Sequence, residues 1–475
     1  MKGFCNILKA SVVLILAGWV LSCSRASNPD IERGAPYQFQ DGHPEIRMSA
    51  LGYLDENDNG IISVAADIVE GSLIYREVEN QNQAEIEIEV RIVGIEGTEH
   101  SDNYRTDLTI HNQQEGYVTT QDVINFERDM QVPPGFYEVV VVVIDKASGK
   151  QTTRTTQTTI PDPSDNVLNL TSVQLLAKSE IERNGTYQPV TTYDVPARKD
   201  SIRFLIQVTN NRSEDPLIVN SRLIRFRSDT TAARPMSFNN YSPSSIPYKG
   251  IDYSNEEELE TTRRVLEQPG SVMIEYRFPL PQRGNYRFEV NAESENTEGL
   301  FKARDFGIKS ANYPSIKAPR ELAEPLAYLM NDKEYENLLS IGDSDSLKEA
   351  IDRFWLSNVQ STSRARNVIS LYYERVEEAN KQFSNFKEGW KTDPGMIYIL
   401  FGPPWYVEQR LNYMQWSYSY DRNDPRYNYY FERPKMKNEF FPFNNYLLQR
   451  SQNYFNLQYQ QVQLWKSGQI LNTNM

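Results

Sequence analysis

Apolar and polar residues alternate along much of the first 300 positions of the chain, which is the pattern of half-buried β-strands. Ala84 to Val93 shows it most clearly, with isoleucine and valine on one face and glutamate and arginine on the other. Tyr137 to Ile144 is an almost unbroken apolar run with five consecutive valines, typical of a central strand covered on both faces. Together with strand patterns at Ile61 to Ile68 and Gln151 to Ile160, these features predict an all-β domain over residues 46–161.

A second series of strand patterns begins after Pro161-Asp162-Pro163 and predicts another all-β domain over residues 162–313. Its strand candidates are Val173 to Ala177, Ser201 to Thr209, Val219 to Phe226, Val272 to Phe278 and Tyr286 to Val290. A polar stretch, residues 228–270, separates the third candidate from the fourth. It predicts surface loops with one short helix near Glu256 to Leu266.

Both β regions contain a Gly-x-Tyr sequence after a proline-bearing turn, at the start of a strand. The tyrosines are Tyr137 and Tyr286. In immunoglobulin-like sandwiches, a tyrosine at such a corner binds through its hydroxyl group to the preceding loop. The predicted fold class is therefore multidomain, with two all-β immunoglobulin-like sandwiches followed by an α+β domain.

Beyond residue 318 the apolar period changes from two residues to three or four, which indicates helices. The pattern predicts helices that begin at Pro319 and that cover Ser346 to Val359 and Arg364 to Phe386. The apolar run Met396 to Phe401 follows and is interpreted as a strand. These elements predict an α+β domain over residues 314–475.

The first residues of the chain resemble a bacterial lipoprotein signal. After a basic start, Ala10 to Leu21 is an apolar segment shorter than the roughly 20 residues that a membrane-spanning helix needs. It leads into Val20-Leu21-Ser22-Cys23, a lipobox, so we expect residues 1–22 to be a signal peptide and Cys23 to be lipidated. Two or more acyl chains, at roughly 0.8 kcal/mol per buried CH₂, anchor a protein stably. The polar residues 23–45 are expected to form a flexible tether.

This signal predicts a location outside the cytoplasm. Ser24, rather than aspartate, follows the cysteine and favours the outer membrane, where we expect the protein on the periplasmic side, with exposure at the cell surface left open. The formal net charge of −14 argues against nucleic acid as a partner, because nucleic-acid binding needs a basic surface. The expected partners are the membrane, through the lipid anchor, and another envelope protein.

The long predicted helix ends in Gly389-Trp390-Lys391-Thr392-Asp393, and the next apolar run ends in Gly402-Pro403-Pro404. Phe354-Trp355 and Tyr372-Tyr373-Glu374-Arg375-Val376 stand upstream, and Trp465-Lys466-Ser467-Gly468 closes the region. Over residues 320–470 the chain thus resembles the GWxTD domain, found in lipoproteins and related envelope proteins of Bacteroidetes-like bacteria. It departs from the family at Pro394, where the family has an arginine. The resemblance implies an envelope lipoprotein, and the family it points to has no assigned activity.

The candidate site residues of this motif are Gly389, Trp390, Thr392, Asp393, Gly395, Gly402 and Pro403. In a structural interpretation, Gly389 takes a positive φ that ends the long helix, and Trp390 packs as an apolar plug. Thr392 and Asp393 then accept backbone N–H groups in a turn that includes Gly395. In a functional interpretation, Asp393 and Trp390 face a ligand groove.

Aromatic residues are concentrated near the end of the chain, where 22 of the 80 residues from 386 to 465 are aromatic, against 12% overall. From Met414 to Tyr420 the large side chains alternate with small or polar ones. This pattern favours a core of packed rings, and a stacking platform for a glycan or peptide is the alternative.

Few residues offer catalytic or metal-binding chemistry. The only histidines are His43, His100 and His111, and the lipid occupies the one cysteine that remains after signal removal. We therefore expect no zinc site, no histidine-based nucleophile and no cofactor in the region that resembles the GWxTD domain. Asp55 to Gly60 resembles the start of a calcium-binding loop, but Ala66 stands where that loop needs glutamate. We therefore interpret it as an acidic turn, with weak calcium binding as the alternative.

The leading functional hypothesis is a non-enzymatic scaffold or protein-binding component at the outer membrane. The alternative is a glycan-binding envelope protein that uses exposed rings, and the solvent exposure of Trp405, Trp416 and Tyr418 discriminates between the two. An Asp/Glu-based hydrolase is a third hypothesis. It requires two carboxylates about 5–9 Å apart in one cleft.

Overall fold

The structure is a computed structural model that describes residues 30–33, 42–78, 81–112, 123–164, 168–179, 185–211, 216–294, 297–421, 424, 427–435 and 441–472. The predicted signal peptide, residues 1–22, and Cys23 lie outside these residues. The described chain is mostly β-sheet and forms several domains, with helices concentrated toward the C-terminus.

The first nine strands are β1 Ile31–Glu32, β2 Ile46–Leu54, β3 Gly60–Val69, β4 Arg76–Val78, β5 Gln81–Ile95, β6 Ser101–Asn112, β7 Val123–Gln131, β8 Gly135–Asp145 and β9 Gln151–Ile160. Strands β2 to β9 form the first sandwich. One sheet has the order β2-β3-β7, and the other has the order β4-β5-β8-β9, with β6 also paired to β5. The alternation in β5 is confirmed, because Ile86, Ile88, Val90 and Ile92 are all buried in the core between the sheets.

The second sandwich contains β10 Leu168–Leu170, β11 Gln174–Lys178, β12 Gln188–Pro189, β13 Asp194–Val195, β14 Ser201–Asn210, β15 Leu217–Ser228, β16 Ile251–Leu266, β17 Gly270–Pro279, β18 Gly284–Ser294, β19 Thr297–Ile308 and the short helix α1 Ile246–Lys249. One sheet has the order β1-β19-β18-β15-β16, with β13 also paired to β19. The other has the order β10-β14-β11-β12, with β17 paired to β14. Strand β1 thus pairs with the second sandwich although it precedes the first.

The helix predicted near Glu256 to Leu266 is wrong, because these residues form most of strand β16. This strand lies at the edge of its sheet, so nearly all its side chains reach solvent and no apolar alternation marks it. Cross-strand ion pairs replace apolar contacts. Arg222 on β15 lies 3.4 Å from Glu256 and 3.5 Å from Glu258.

The two predicted corner tyrosines make the same hydrogen bond. The Tyr137 hydroxyl donates to the carbonyl oxygen of Pro133 at 2.7 Å, and the Tyr286 hydroxyl donates to that of Gln282 at 2.5 Å. Each bond ties the start of a central strand to the loop residue four positions earlier.

A buried glutamine joins the two sandwiches. Gln207 on β14 accepts from the Leu54 backbone N–H at 2.8 Å and donates to the Leu54 carbonyl at 2.7 Å.

The C-terminal domain contains helices α2 Pro319–Ala323, α3 Asp332–Leu339, α4 Ser344–Val359, α5 Thr362–Phe383, α6 Asp393–Phe401 and α7 Tyr454–Ser467. A small antiparallel sheet, β20 Tyr406–Gln409, β21 Tyr413–Ser417, β22 Asn428–Glu432 and β23 Leu447–Leu448, packs with them in chain order. The core holds the fully buried rings of Trp355, Tyr372 and Trp465.

The strand predicted over Met396 to Phe401 is wrong, because these residues belong to helix α6. The run is apolar on every side, so its periodicity cannot separate a buried strand from a buried helix. Thr392 caps the helix and Pro394 lies in its first turn, two signals that favour a helix start.

Candidate functional site

The two glycines of the motif stand where the backbone has no room for a side chain. A Cβ atom on Gly389 would lie 1.8 Å from the carbonyl oxygen of Ala379, and one on Gly395 would lie 1.9 Å from that of Gly389. Gly389 does not end the long helix with a positive φ as expected, since α5 already ends at Phe383. Close packing against α5 requires glycine at position 389, and the tight turn of the motif itself requires glycine at position 395.

The Trp390 side chain lies in the core and is 4% exposed, and the backbone N–H and carbonyl of this residue are both hydrogen-bonded. Its N–H donates to the Asn380 side-chain oxygen at 3.2 Å, and its carbonyl accepts from the Tyr328 hydroxyl at 2.6 Å. The Trp390 ring meets the Tyr328 ring edge to face at 6.1 Å. The structure therefore places this side chain against protein and away from solvent.

Thr392 organises the start of helix α6. Its hydroxyl donates to the Gly389 carbonyl at 2.7 Å and accepts from the Gly395 N–H at 3.1 Å. The second bond satisfies one of the N–H groups that a helix start leaves without a helical partner. The glycine and threonine of the motif therefore form one hydrogen-bonded turn that positions the next residue, Asp393.

Asp393 forms a buried two-point ion pair with Arg450. Both guanidinium Nη atoms donate to the carboxylate at 2.7 Å, and the Leu448 backbone N–H donates to it at 2.6 Å. The Arg450 side chain is 0% exposed and that of Asp393 is 3% exposed. Two parallel N–H···O bonds between charged groups are among the strongest in proteins. Sequence reasoning missed Arg450, which lies 57 positions away with no motif around it.

Arg450 also binds the polar stretch that leaves the second sandwich between β15 and β16, here called the long loop, residues 229–250. Its guanidinium donates to the carbonyls of Arg234 and Pro235 at 3.2 and 3.3 Å and to the Tyr241 hydroxyl at 3.3 Å. Burial, followed by the charge of Asp393, raises the pKa of Tyr241 to about 12. Met236 of the loop is fully buried in the C-terminal core. The Asp393–Arg450 pair is thus part of an interdomain contact.

A second ion-pair group lies just before the motif. Glu388 contacts Arg283 of the second sandwich and Lys391, the latter at 3.0 Å, and accepts from the Ser310 N–H at 3.1 Å. Burial alone would raise the pKa of Glu388, but the positive charges of Lys391 and Arg283 outweigh it and lower the pKa to about 2. These contacts hold the motif segment to the strand that begins at Gly284.

Lys387 adds a third bridge between the two domains. Its ammonium group is paired with Asp229 at the start of the long loop and donates to the Thr231 carbonyl at 3.1 Å. Three charged side chains around the motif, at positions 387, 388 and 393, therefore each reach a partner outside the local helix.

The two remaining motif residues differ in environment. Gly402 ends α6 with a φ of 84°, and a Cβ atom there would lie 2.8 Å from the Arg375 guanidinium. Its carbonyl accepts from the Tyr418 hydroxyl at 2.7 Å. Pro403 is exposed and begins the loop to β20.

Many rings of the aromatic-rich region are in the core, and several others are exposed at the surface. Trp416 and Tyr418 are 3% and 8% exposed, whereas Trp405 is 50% and Tyr420 is 95% exposed. The Trp405 and Tyr420 rings lie 5.0 Å apart at an angle of 50°. We call these two residues the exposed ring pair.

Other candidate chemistry is sparse in the described part of the chain. Within it, no group of three or more His, Cys, Asp or Glu side chains is arranged to hold a metal ion. The Asp55 carboxylate accepts from the N–H groups of Asn57 and Asn59, both at 2.8 Å, so it closes its own turn. Among the same residues, no helix combines the length and apolar character that crossing a bilayer requires.

The fold and the site define a β-rich multidomain protein whose C-terminal α+β domain is joined to a sandwich by buried ion pairs. Residues 284–467 match the family model of the GWxTD domain, so this part of the chain carries a GWxTD domain. The match begins at β18 and thus includes the last two strands of the second sandwich. No curated protein matches the chain.

Three solved structures are similar to parts of the chain. They are red sea bream transglutaminase (9% identity, 56% of this chain and 31% of that chain, TM-score 0.18), Escherichia coli alpha-2-macroglobulin activated by porcine elastase (10%, 73% and 36%, TM-score 0.17) and the serine-rich repeat protein Srr2 of Streptococcus agalactiae (11%, 56% and 92%, TM-score 0.19). The chain spans about a third of the first two proteins. At these TM-scores the similarities carry no conclusion on fold or function.

Proposed function

We propose that the protein is a cell-envelope lipoprotein that acts as a non-enzymatic scaffold or protein-binding component. Acyl chains on Cys23 attach it to the outer membrane, on the periplasmic side. Both sandwiches are proposed to be immunoglobulin-like, with Tyr137 and Tyr286 as their corner residues. In this proposal the sandwiches are spacers, and the GWxTD domain is the part that meets a partner.

The observation that carries the proposal is that the polar groups of the motif are hydrogen-bonded to other groups of the same protein. Both Asp393 carboxylate oxygens accept bonds from Arg450, and Thr392 caps a helix. A catalytic or ligand-binding carboxylate needs a free direction toward its substrate. These groups instead join the GWxTD domain to the second sandwich, which supports a rigid unit that presents a surface.

The exposed ring pair is the surface that best fits a protein partner. Aromatic side chains are enriched at the centres of protein interfaces, where each ring removes a large apolar area from water. Trp405 and Tyr420 already contact each other, so little ordering entropy would be lost when a partner covers them.

The proposal is tested with a photo-activated cross-linking residue placed at Tyr420 in cells that make the full-length protein. Asp345, exposed on helix α4, is the matched control position. We expect one envelope protein cross-linked through position 420 and not through position 345. The purified pair should then bind at least ten times more weakly when Trp405 and Tyr420 are both serine. Equal cross-linking at both positions, or a Cys23 without acyl mass, would contradict the proposal.

A glycan-binding protein is the second candidate, and the exposure of Trp405 and Tyr420 is the observation that favours it. Burial removes Trp416 and Tyr418 from the proposed platform, whereas Trp405 and Tyr420 stay exposed. Titration of the purified protein with peptidoglycan fragments, followed by tryptophan fluorescence, tests it. Saturable binding that is lost in Trp405→Ala would favour the glycan candidate over the protein partner. The third candidate, a hydrolase, receives less support, because cations pair with the buried carboxylates Glu388 and Asp393.

A further inference from the structure

Strand β1 comes from the segment expected to be a flexible tether, yet it is paired with a sheet. Ile31 pairs with Ala303 and Glu32 with Arg304, parallel to β19 at the edge of the second sandwich. The Ala303 N–H donates to the Asp30 carbonyl at 2.7 Å. The N-terminal segment therefore continues the sheet over these residues.

Side chains on both sides hold this short strand. Ile31 is only 4% exposed. Three ion pairs flank it: Asp30 with Lys302 at 3.8 Å, Glu32 with Arg304 at 3.4 Å and Arg33 with Asp305 at 3.8 Å. Exposed ion pairs alone contribute little. Arg304, however, is 2% exposed and also donates to the carbonyls of Val190 and Thr192, so it fixes β1 to a rigid part of the sandwich.

The parallel pairing gives the N-terminal segment a direction. Strand β19 begins at Thr297 and ends at Ile308, next to the GWxTD helices. Because β1 runs the same way, its first residue lies on the Thr297 side of the strand and its last residue on the side of those helices. Seven residue steps separate Cys23 from Asp30, so Cys23 lies at most about 25 Å from that residue.

We propose that β1 sets the orientation of the protein on the membrane. The end of the second sandwich where β14 ends at Asn210, β16 ends at Leu266 and β19 begins at Thr297 faces the bilayer, and the GWxTD domain faces the aqueous space. This orientation rests on the lipidation of Cys23 in the proposed function. Exposed Glu267 and Glu293 at this end oppose entry into an anionic headgroup layer, so this end faces the bilayer without inserting into it.

The orientation is tested with the lipidated protein in vesicles of phosphatidylethanolamine and phosphatidylglycerol. A fluorophore is placed on Gln268→Cys, near the expected bilayer side, or on Leu411→Cys in the GWxTD domain. The lipid on Cys23 leaves the introduced thiol as the one to label. Energy transfer to a headgroup acceptor should be at least three times stronger from position 268. Equal or reversed transfer would overturn the proposal.

Two variants at Ile31 distinguish the effect of the paired strand β1 on orientation from the effect of the lipid tether alone. Ile31→Asp places a charge in a buried position and should release β1, so the difference in transfer between the two labels should shrink. Ile31→Val keeps the apolar contact and should preserve the difference. An unchanged difference in Ile31→Asp would show that β1 does not set the orientation.

Hydrogen exchange in solution tests β1 without the lipid. In the Cys23→Ser protein the Ala303 amide should be protected, and in the same protein with Ile31→Asp it should exchange at least ten times faster, while amides of β14 remain protected. An unprotected Ala303 would overturn the proposal while leaving the anchor intact. A full-length protein without acyl mass on Cys23 would overturn the anchor itself, and such a protein would be recognised by its failure to float with vesicles.

Discussion

Asp393→Asn should destabilise the GWxTD domain strongly, although it replaces only one carboxylate oxygen with an amide nitrogen. The substitution leaves the Arg450 guanidinium buried without its counter-charge, and removing one partner of a buried pair costs about 3–5 kcal/mol. Arg450 keeps neutral acceptors, among them the carbonyls of Arg234 and Pro235, so we expect the lower end, about 3 kcal/mol. With about 2 kcal/mol per molar urea, the unfolding midpoint should fall by about 1.5 M.

Tryptophan fluorescence reads this transition selectively. Apart from Trp19 in the predicted signal peptide, all tryptophans lie between positions 355 and 465. Asp352→Asn is the matched control, because it removes the same charge from a surface pair with Lys348 on α4 and should cost less than about 0.5 kcal/mol. An Asp393→Asn midpoint equal to that of the control, together with a lost cross-link at Tyr420, would refute the structural interpretation and favour a ligand groove.

Three further outcomes follow from the same contacts. Between pH 5 and pH 2 the free energy of unfolding, measured in urea, should fall by about 3 kcal/mol more in the wild type than in Glu388→Gln. The reason is that the pKa of Glu388 is about 2 in the folded protein and 4.5 ordinarily, so in this range the proton binds mainly to unfolded chains. Equal losses in the two proteins would contradict this. Gly389→Ala should lower stability by about 3 kcal/mol, and Gly342→Ala, with open space around it, by almost nothing. Tyr286→Phe should remove one hydrogen bond and about 1 kcal/mol, measured by calorimetry against the same change at exposed Tyr459.

The strands of the two sandwiches could be predicted because their signal is local. In β5 every second residue is apolar, and in β8 the whole run is apolar, so neighbouring residues alone identify the strand. The corner tyrosines were also visible, because each binds only four positions upstream. Edge strand β16 could not be recognised, since its stabilising partners lie on β15 and its own pattern is charged.

The glycine, tryptophan and threonine of the motif could be identified from the family resemblance, but the partner of Asp393 could not. Arg450 lies in an irregular segment, and Tyr241 lies in a polar loop of the second sandwich that resembles any exposed connection. Only the folded chain brings these three residues together. The long-range contact, rather than the motif's own turn, explains why the carboxylate is needed.

A double-mutant cycle between Asp393→Asn and Arg450→Gln, read by urea unfolding of the tryptophan-containing domain, tests most directly whether the motif carboxylate acts through Arg450, the residue that also binds the long loop of the second sandwich. The account predicts a coupling free energy of at least about 2 kcal/mol, since the two side chains share one buried bidentate contact. If the two substitutions are additive within about 0.5 kcal/mol, the Asp393 carboxylate does not act through Arg450.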